Sequence, residues 1–164
     1  MVLPSESGAN VTLPSDRAIV ITRVFDAPRA VVFDAWTQPE HVAQWWDPRR
    51  KPLAVCEIDL RPGGSFRFVN QGVDGLQHPF VGVYREIAPP SRLVFTTRVG
   101  PSAAECVGTI HFEESEGKTI LTLTMECARK EDRDAMLRMR IDVGTVQTLS
   151  NLGEYLGTRG EQQT

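Results

Sequence analysis

The sequence has no long hydrophobic run and no excess of basic charge. No apolar stretch approaches the ~20 residues that a membrane-spanning helix needs, and the first residues lack the charged-then-apolar pattern of a secretion signal. Eighteen basic residues stand against 21 acidic ones, which gives a net charge of −3. Proteins that bind polyanions rely on clustered Lys and Arg. We therefore expect a cytoplasmic protein without membrane insertion and without a nucleic-acid partner.

Cysteine is scarce as well. The chain has Cys56, Cys106 and Cys127, an odd number at wide spacing within strand-like sequence. Disulfide frameworks and cysteine metal sites use even sets or closely spaced pairs. The pattern therefore favours three reduced, half-buried thiols.

Self-sufficient catalytic and metal-binding motifs are also missing. No serine lies in a Gly-x-Ser-x-Gly turn, and Gly63-Gly64 lacks the lysine of a phosphate loop. His41, His78 and His111 are dispersed, without the paired spacing of metal ligands. We therefore expect no metal, no cofactor and no catalytic residue that the sequence alone identifies.

An enzyme stays open as an alternative if titratable side chains face a cavity, where they can exchange protons with a substrate. The candidates are His78, His111 and Glu126, together with two pairs that each share one strand face, Glu57 with Asp59 and His111 with Glu113. A sheet face exposed to solvent is the simpler interpretation of each pair.

Length and composition predict one folded domain. The chain has 164 residues, of which 41% are hydrophobic and 24% are charged, values typical of a globular protein. Residues 1–15 are rich in Ser, Pro, Gly and Asn and show no periodicity. We predict a flexible N-terminal arm over residues 1–15 and a single domain over residues 16–164.

The periodicity of the chain predicts a curved antiparallel sheet. β-branched residues favour a first strand over 17–25, and Pro28 and Pro39 each suit the first turn of a short helix that follows it. Further strands are predicted over 53–60, 65–71, 80–87, 92–99, 105–113 and 118–128, separated by turns rich in Gly, Pro, Asp and Ser. These connections are too short for crossover helices, so the strands form an antiparallel meander.

A single long helix is predicted over 131–156. Apolar residues recur there in steps of three and four and trace one helix side. They are Met136, Met139, Val143, Val146, Leu149, Leu152 and Leu156. The helix is expected to close over the sheet, and its Gly144 costs up to ~1 kcal/mol relative to alanine.

Several of these segments, taken in order, resemble a known family. They are residues 17–25, Ala27-Pro28, residues 32–37, Pro39-Glu40, Trp45-Trp46, residues 59–64 and residues 82–96. Over about residues 17–157 the chain is similar to the family related to the C-terminal domain of the activator of heat-shock-protein-90 ATPase, within the START-like, SRPBCC group.

The resemblance implies an α+β helix-grip fold, in which a seven-stranded antiparallel sheet wraps around a long C-terminal helix and two short helices follow strand 1. Such sequences often carry a Gly-Trp pair in the final helix, where this chain has Gly144-Thr145. The loss of a large aromatic side chain there predicts an enlarged or reshaped cavity.

Sheet and helix phase indicate which residues line that cavity. A concave, apolar site with few polar groups is the usual form of a small-molecule pocket. The candidate lining residues are Trp45, Phe66, Phe68, Asn70, Phe80, Tyr84, Phe95, Thr97, Met125, Met139, Val143 and Val146. Among the polar groups, Tyr84, Asn70 and Arg67 are of most interest, because a ligand can partner a buried polar group.

Fold alone does not fix function, so three hypotheses follow. The favoured one is noncatalytic binding of a small hydrophobic or amphipathic molecule between the sheet and the C-terminal helix. The alternatives are a small-molecule cyclase or hydrolase that uses a cavity His or Glu, and a co-chaperone-like protein-interaction module. A chaperone and a second copy of the chain, in a two-fold homodimer, are the candidate protein partners.

Overall fold

The computed structural model describes residues 9–71, 79–99 and 104–162. Within these residues the chain forms eight strands and four helices. In chain order they are β1 (Asn10–Thr12), β2 (Ala18–Phe25), α1 (Arg29–Thr37), α2 (Pro39–Trp45), β3 (Val55–Ile58), β4 (Ser65–Val69), β5 (Pro79–Ala88), β6 (Arg92–Val99), β7 (Ala104–Ser115), β8 (Lys118–Cys127), α3 (Lys130–Arg138) and α4 (Ile141–Gln162). The predicted turns near residues 72–75 and 100–102, and His78, lie outside the described residues.

All eight strands belong to one antiparallel sheet in the order β1-β2-β8-β7-β6-β5-β4-β3. Strands β3 to β8 run as a meander, and α1 and α2 carry the chain from β2 to the opposite edge. Buried side chains alternate along β8, with Leu121, Leu123, Met125 and Cys127 all on the inner face. Helix α4 packs on this inner face, as expected for an α+β helix-grip fold.

The seven-strand prediction is wrong by one strand. The additional strand is β1, which pairs with β2 from Asn10 opposite Thr22 to Thr12 opposite Val20. It lies inside the segment assigned to the N-terminal arm, where its three residues are too few for a periodic signal. An edge strand gains its stability from the ladder to its neighbour, a contact that local sequence does not display.

The prediction of one long final helix is also wrong, because the chain breaks between α3 and α4. Met139 N donates to Ala135 O and Arg140 N donates to Leu137 O, both at 3.0 Å, so the last turn of α3 tightens. Arg140 then adopts a left-handed backbone with φ 60°. Glycine or asparagine usually occupies such a position, so an arginine gave no signal of a helix end.

Two of the three cysteines form a disulfide, which corrects the expectation of three free thiols. Cys106 on β7 lies directly opposite Cys127 on β8, with a Cα–Cα distance of 4.4 Å. The two strands are joined by the two-residue loop Glu116-Gly117, and Ser115 pairs with Lys118. That register brings the two cysteines together. Cys56 is the free cysteine among the described residues.

The disulfide makes a simple prediction about thiol counts. Iodoacetamide added to protein unfolded in urea without reductant is expected to label one cysteine per chain, Cys56, since Cys106 and Cys127 are already bonded. After reduction, three labels are expected. Intact-mass spectrometry distinguishes the two counts, and three labels without reductant would contradict the pairing.

Close packing over two strands depends on Gly108. A Cβ atom at Gly108 would overlap the ring of Phe95, a core side chain that is 7% exposed. Gly108→Ala is therefore expected to destabilise the fold by about 1–3 kcal/mol, because the ring has to move within a packed core. Urea denaturation gives the measurement.

Gly157→Ala is the matched control. Nothing lies within 4 Å of a Cβ at Gly157, which is in α4, so this change is expected to keep or raise stability. If both variants lose the same free energy of unfolding, the contact with Phe95 is not the cause of the destabilisation.

Candidate functional site

A cavity of about 290 Å³ lies between the inner face of the sheet and the junction of α3 with α4. Its walls are almost entirely apolar and aromatic. They consist of Trp36, Trp46, Pro48, Phe80, Phe95, Leu123, Met125, Met136, Met139, Arg140, Ile141, Gly144, Thr145, Thr148 and Leu149. The volume is close to the lower end of the range found for small-molecule pockets.

The wall that α4 contributes has few protruding atoms. Ile141, Gly144, Thr145, Thr148 and Leu149 follow the spacing of one helix face. Nothing lies within 4 Å of a Cβ placed on Gly144. The cavity therefore exists because the N-terminal half of α4 presents a glycine and a threonine to the sheet instead of large side chains.

Two tryptophans, Trp36 and Trp46, line one end of the cavity, and Trp45 packs behind them. Trp36 packs edge-on against Trp45 at 4.9 Å and against Trp46 at 6.1 Å between ring centroids. Trp46 also contacts Phe68 at 4.9 Å and Phe80 at 5.1 Å, which joins α2 to the sheet. Such offset and edge-to-face contacts fix ring positions, so this end of the cavity is a rigid surface.

Polar side chains of α4 hold the segment that carries these rings. Thr148 Oγ1 donates to Trp46 O at 3.1 Å, and Asn151 Nδ2 donates to Asp47 O at 3.0 Å. Arg50 Nε donates to Asn151 Oδ1 at 3.3 Å. Asn151 is 5% exposed, so its hydrogen bonds satisfy backbone carbonyls that would otherwise be buried without partners.

Asn151→Leu tests this anchor. Leucine has a similar volume but cannot donate to the carbonyls, so we expect a loss of roughly 1–3 kcal/mol in the free energy of unfolding. Gln147→Leu is the control, since Gln147 is exposed and its hydrogen bond to Asn151 lies within α4. Its effect is expected within about 0.5 kcal/mol. A neutral Asn151→Leu variant would show that the anchor is dispensable.

The structure brings together some of the candidate cavity residues and separates others. Phe80, Phe95, Met125 and Met139 line the cavity. Phe66, Phe68 and Tyr84 lie just beyond it around a void of about 20 Å³, which Phe80 and Phe95 also line. Trp45 is buried behind the other two tryptophans, where its Nε1 donates to Ala35 O at 3.1 Å.

The remaining candidates lie elsewhere. Val143 is 49% exposed, and Val146 packs against the core without reaching the cavity wall. Thr97 is buried and donates to Val81 O at 2.6 Å, and Asn70 is half-buried at the end of β4. Val143 and Val146 lie on a different side of α4 from the residues of that helix that line the cavity.

Charge is almost absent from the walls. Arg140 is the one charged side chain among the described lining residues.

Two titratable groups outside the wall are neutral. Burial raises the pKa of the Tyr84 hydroxyl, and burial together with Glu40 raises the pKa of Cys56 to about 11. Both groups therefore stay protonated and neutral near pH 7, and neither acts as a base or a nucleophile there.

The titratable candidates for catalysis that the structure describes do not face the cavity. Glu126 and Glu57 are exposed, and His111 and Glu113 lie on the strand face opposite the buried Ile110 and Phe112. His41 Nδ1 lies 2.7 Å from the Tyr155 hydroxyl, away from the lining residues. Among the described residues, no three His, Cys, Asp or Glu side chains gather in a group that could hold a metal ion.

Several lining residues were not among the sequence candidates. Trp36 and Trp46 could have been named from the sequence, because they belong to a cluster of aromatic residues. Thr145 could have been named because it stands beside Gly144, where related sequences often have tryptophan. Arg140 and Ile141 had none, because the helix break that places them on the cavity is not marked by glycine or proline.

Comparison with known proteins identifies the family. A family model described as activator of Hsp90 ATPase homolog 1-like protein matches residues 26–157. The chain belongs to this family. No curated protein matches it in sequence. No described helix is long and apolar enough to cross a membrane.

Solved structures of other bacterial proteins share the fold. A protein from Rhodobacter sphaeroides superposes with a TM-score of 0.83 and 23% identity, over 92% of this chain and 98% of the other. One from Nitrosomonas europaea has a TM-score of 0.81 and 23% identity, over 91% and 99% of the two chains. A third from Rhizobium leguminosarum has a TM-score of 0.65 and 29% identity, over 92% and 97%.

Proposed function

We propose that this member of the family binds a small hydrophobic or amphipathic molecule, without catalysis, in the cavity between the sheet and α4. The observation that carries the proposal is the volume of about 290 Å³ enclosed by tryptophan, phenylalanine and methionine side chains. Transfer of apolar ligand surface from water into such a site is favourable, by about 25 cal/mol per Å².

The chemistry of the wall supports binding over catalysis. General acid–base catalysis needs a titratable group within hydrogen-bond reach of the substrate. Of the described lining residues, Arg140 alone is ionisable, and a guanidinium stays protonated at neutral pH. A cyclase or hydrolase would have to draw its acid or base from other residues, so this alternative has less support.

The co-chaperone alternative comes from the name of the family, which describes relatives of this chain. Such a function requires a surface that binds another protein. The cavity has the size and the apolar walls that suit a small ligand instead. We therefore favour the small-molecule function.

Thr145→Trp tests the proposal by restoring the aromatic side chain that related sequences often have. The indole is expected to occupy the cavity, so binding of the neutral fluorescent probe N-phenyl-1-naphthylamine should weaken at least tenfold. The melting temperature should stay equal or rise, because a buried aromatic side chain adds packing. Fluorescence titration and thermal denaturation give the two measurements.

Val143→Trp is the matched control, because it places the same side chain on α4 at an exposed position outside the cavity wall. It is expected to bind the probe like the original protein. If Thr145→Trp binds the probe unchanged, or if the original protein does not bind it, the cavity is not the binding site that we propose.

A further inference from the structure

We infer that the cavity selects anionic ligands, each with a compact apolar body and one carboxylate that Arg140 binds at the mouth. This inference rests on the proposed function, because it names the class of molecule that the same cavity accepts. It goes beyond the apolar character of the walls and assigns a specificity-determining role to one residue.

The first support is the state of the polar groups along the wall. Thr145 Oγ1 donates to Ile141 O at 2.8 Å, and Thr148 Oγ1 donates to Gly144 O at 2.9 Å as well as to Trp46 O. Each hydroxyl has one proton, so neither has a free donor for a ligand. Trp36 Nε1 has no hydrogen-bond partner among the described residues, but its nitrogen is buried from solvent. The wall also carries the indole N–H of Trp46, which is neutral. Arg140 is therefore the one charged donor of the described wall.

The second support is that the Arg140 guanidinium is available. The side chain is exposed, and it makes no hydrogen bond or ion pair with the described part of the chain. Asp142 and Arg138 are its charged neighbours in sequence, and neither lines the cavity. An arginine presents several donors in a planar fork that matches a carboxylate, and such charge-assisted bonds are stronger than neutral ones.

The third support is the backbone at Arg140. Three non-glycine residues of the described chain have positive φ: Arg50, Glu116 and Arg140. Arg50 has an ion pair with Glu154 at 2.8 Å, and Glu116 is in the two-residue hairpin loop, where positive φ is required. No contact of the described protein accounts for the arginine side chain at position 140. The left-handed backbone at Arg140 ends α3 and starts the turn into α4, but glycine would adopt it without strain. Strained non-glycine residues are concentrated at functional sites.

The methionines indicate how strictly the rest of the ligand is recognised. Three of the four methionines in the chain, Met125, Met136 and Met139, line the cavity. Methionine side chains are flexible and polarisable and adapt to ligands of different shape. The body of the ligand is therefore selected by size and apolarity, and Arg140 selects for charge.

A matched pair of probes tests the inference. 2-Naphthylacetate and 2-naphthylacetamide have the same shape and differ in charge. Isothermal titration calorimetry is expected to give roughly fivefold tighter binding of the carboxylate to the original protein, a modest factor because Arg140 is partly in water. Arg140→Gln should bind the two probes equally, and Arg140→Lys should recover part of the preference.

Two variants separate recognition from structure. Arg138→Gln removes the same charge from an exposed residue outside the cavity wall and should keep the preference. Arg140→Gly should abolish the preference while raising the melting temperature by roughly 2 °C, because glycine adopts positive φ without strain.

The outcomes distinguish the two proposals. Equal binding of both probes by the original protein, or an unchanged preference in Arg140→Gln, overturns the inference and leaves the apolar binding function intact. Binding of neither probe contradicts the proposed function, and the inference falls with it.

Discussion

Helix α4 contacts the sheet with two unlike halves, and the difference between them creates the site. Its C-terminal half buries Leu152 and Leu156 in the core, where they stabilise the fold. Its N-terminal half presents Gly144 and Thr145, which do not reach the inner face of the sheet. One helix therefore both closes the core and leaves a space in it. The position of this space depends on the interactions that fix α4 relative to the rest of the fold.

That position is fixed by hydrogen bonds to the chain segment that follows α2. Thr148 and Asn151 bond the carbonyls of Trp46 and Asp47, and the tryptophan rings are held between α4 and the sheet. Polar groups that are paired in a buried setting determine geometry more sharply than apolar contacts do, because an unpaired carbonyl there is costly. The fold can therefore keep an open cavity without letting the helix settle into it.

The fold was largely predictable because its signals are local. Turn residues and alternation located the meander, and the predicted strand over 92–99 coincides with β6. The cysteine pair was predictable in principle, since a two-residue loop at Glu116-Gly117 sets Cys106 opposite Cys127. The edge strand β1 and the break at Arg140 were not predictable in this way. Strand β1 depends on its ladder to β2, and the break has an arginine where glycine or asparagine is usual.

The same reasoning explains why the site was predicted only in part. The aromatic and methionine residues on the sheet follow from strand phase, so Phe80, Phe95 and Met125 could be named in advance. On the helical side Met139 could be named, but Val143 and Val146 lie on a different side of α4 from Gly144 and Thr145. An arginine in a left-handed conformation carries a cost that a glycine would avoid. If Arg140 binds the carboxylate of a ligand at the mouth of the cavity, as we infer, this interaction offsets that cost in the bound state.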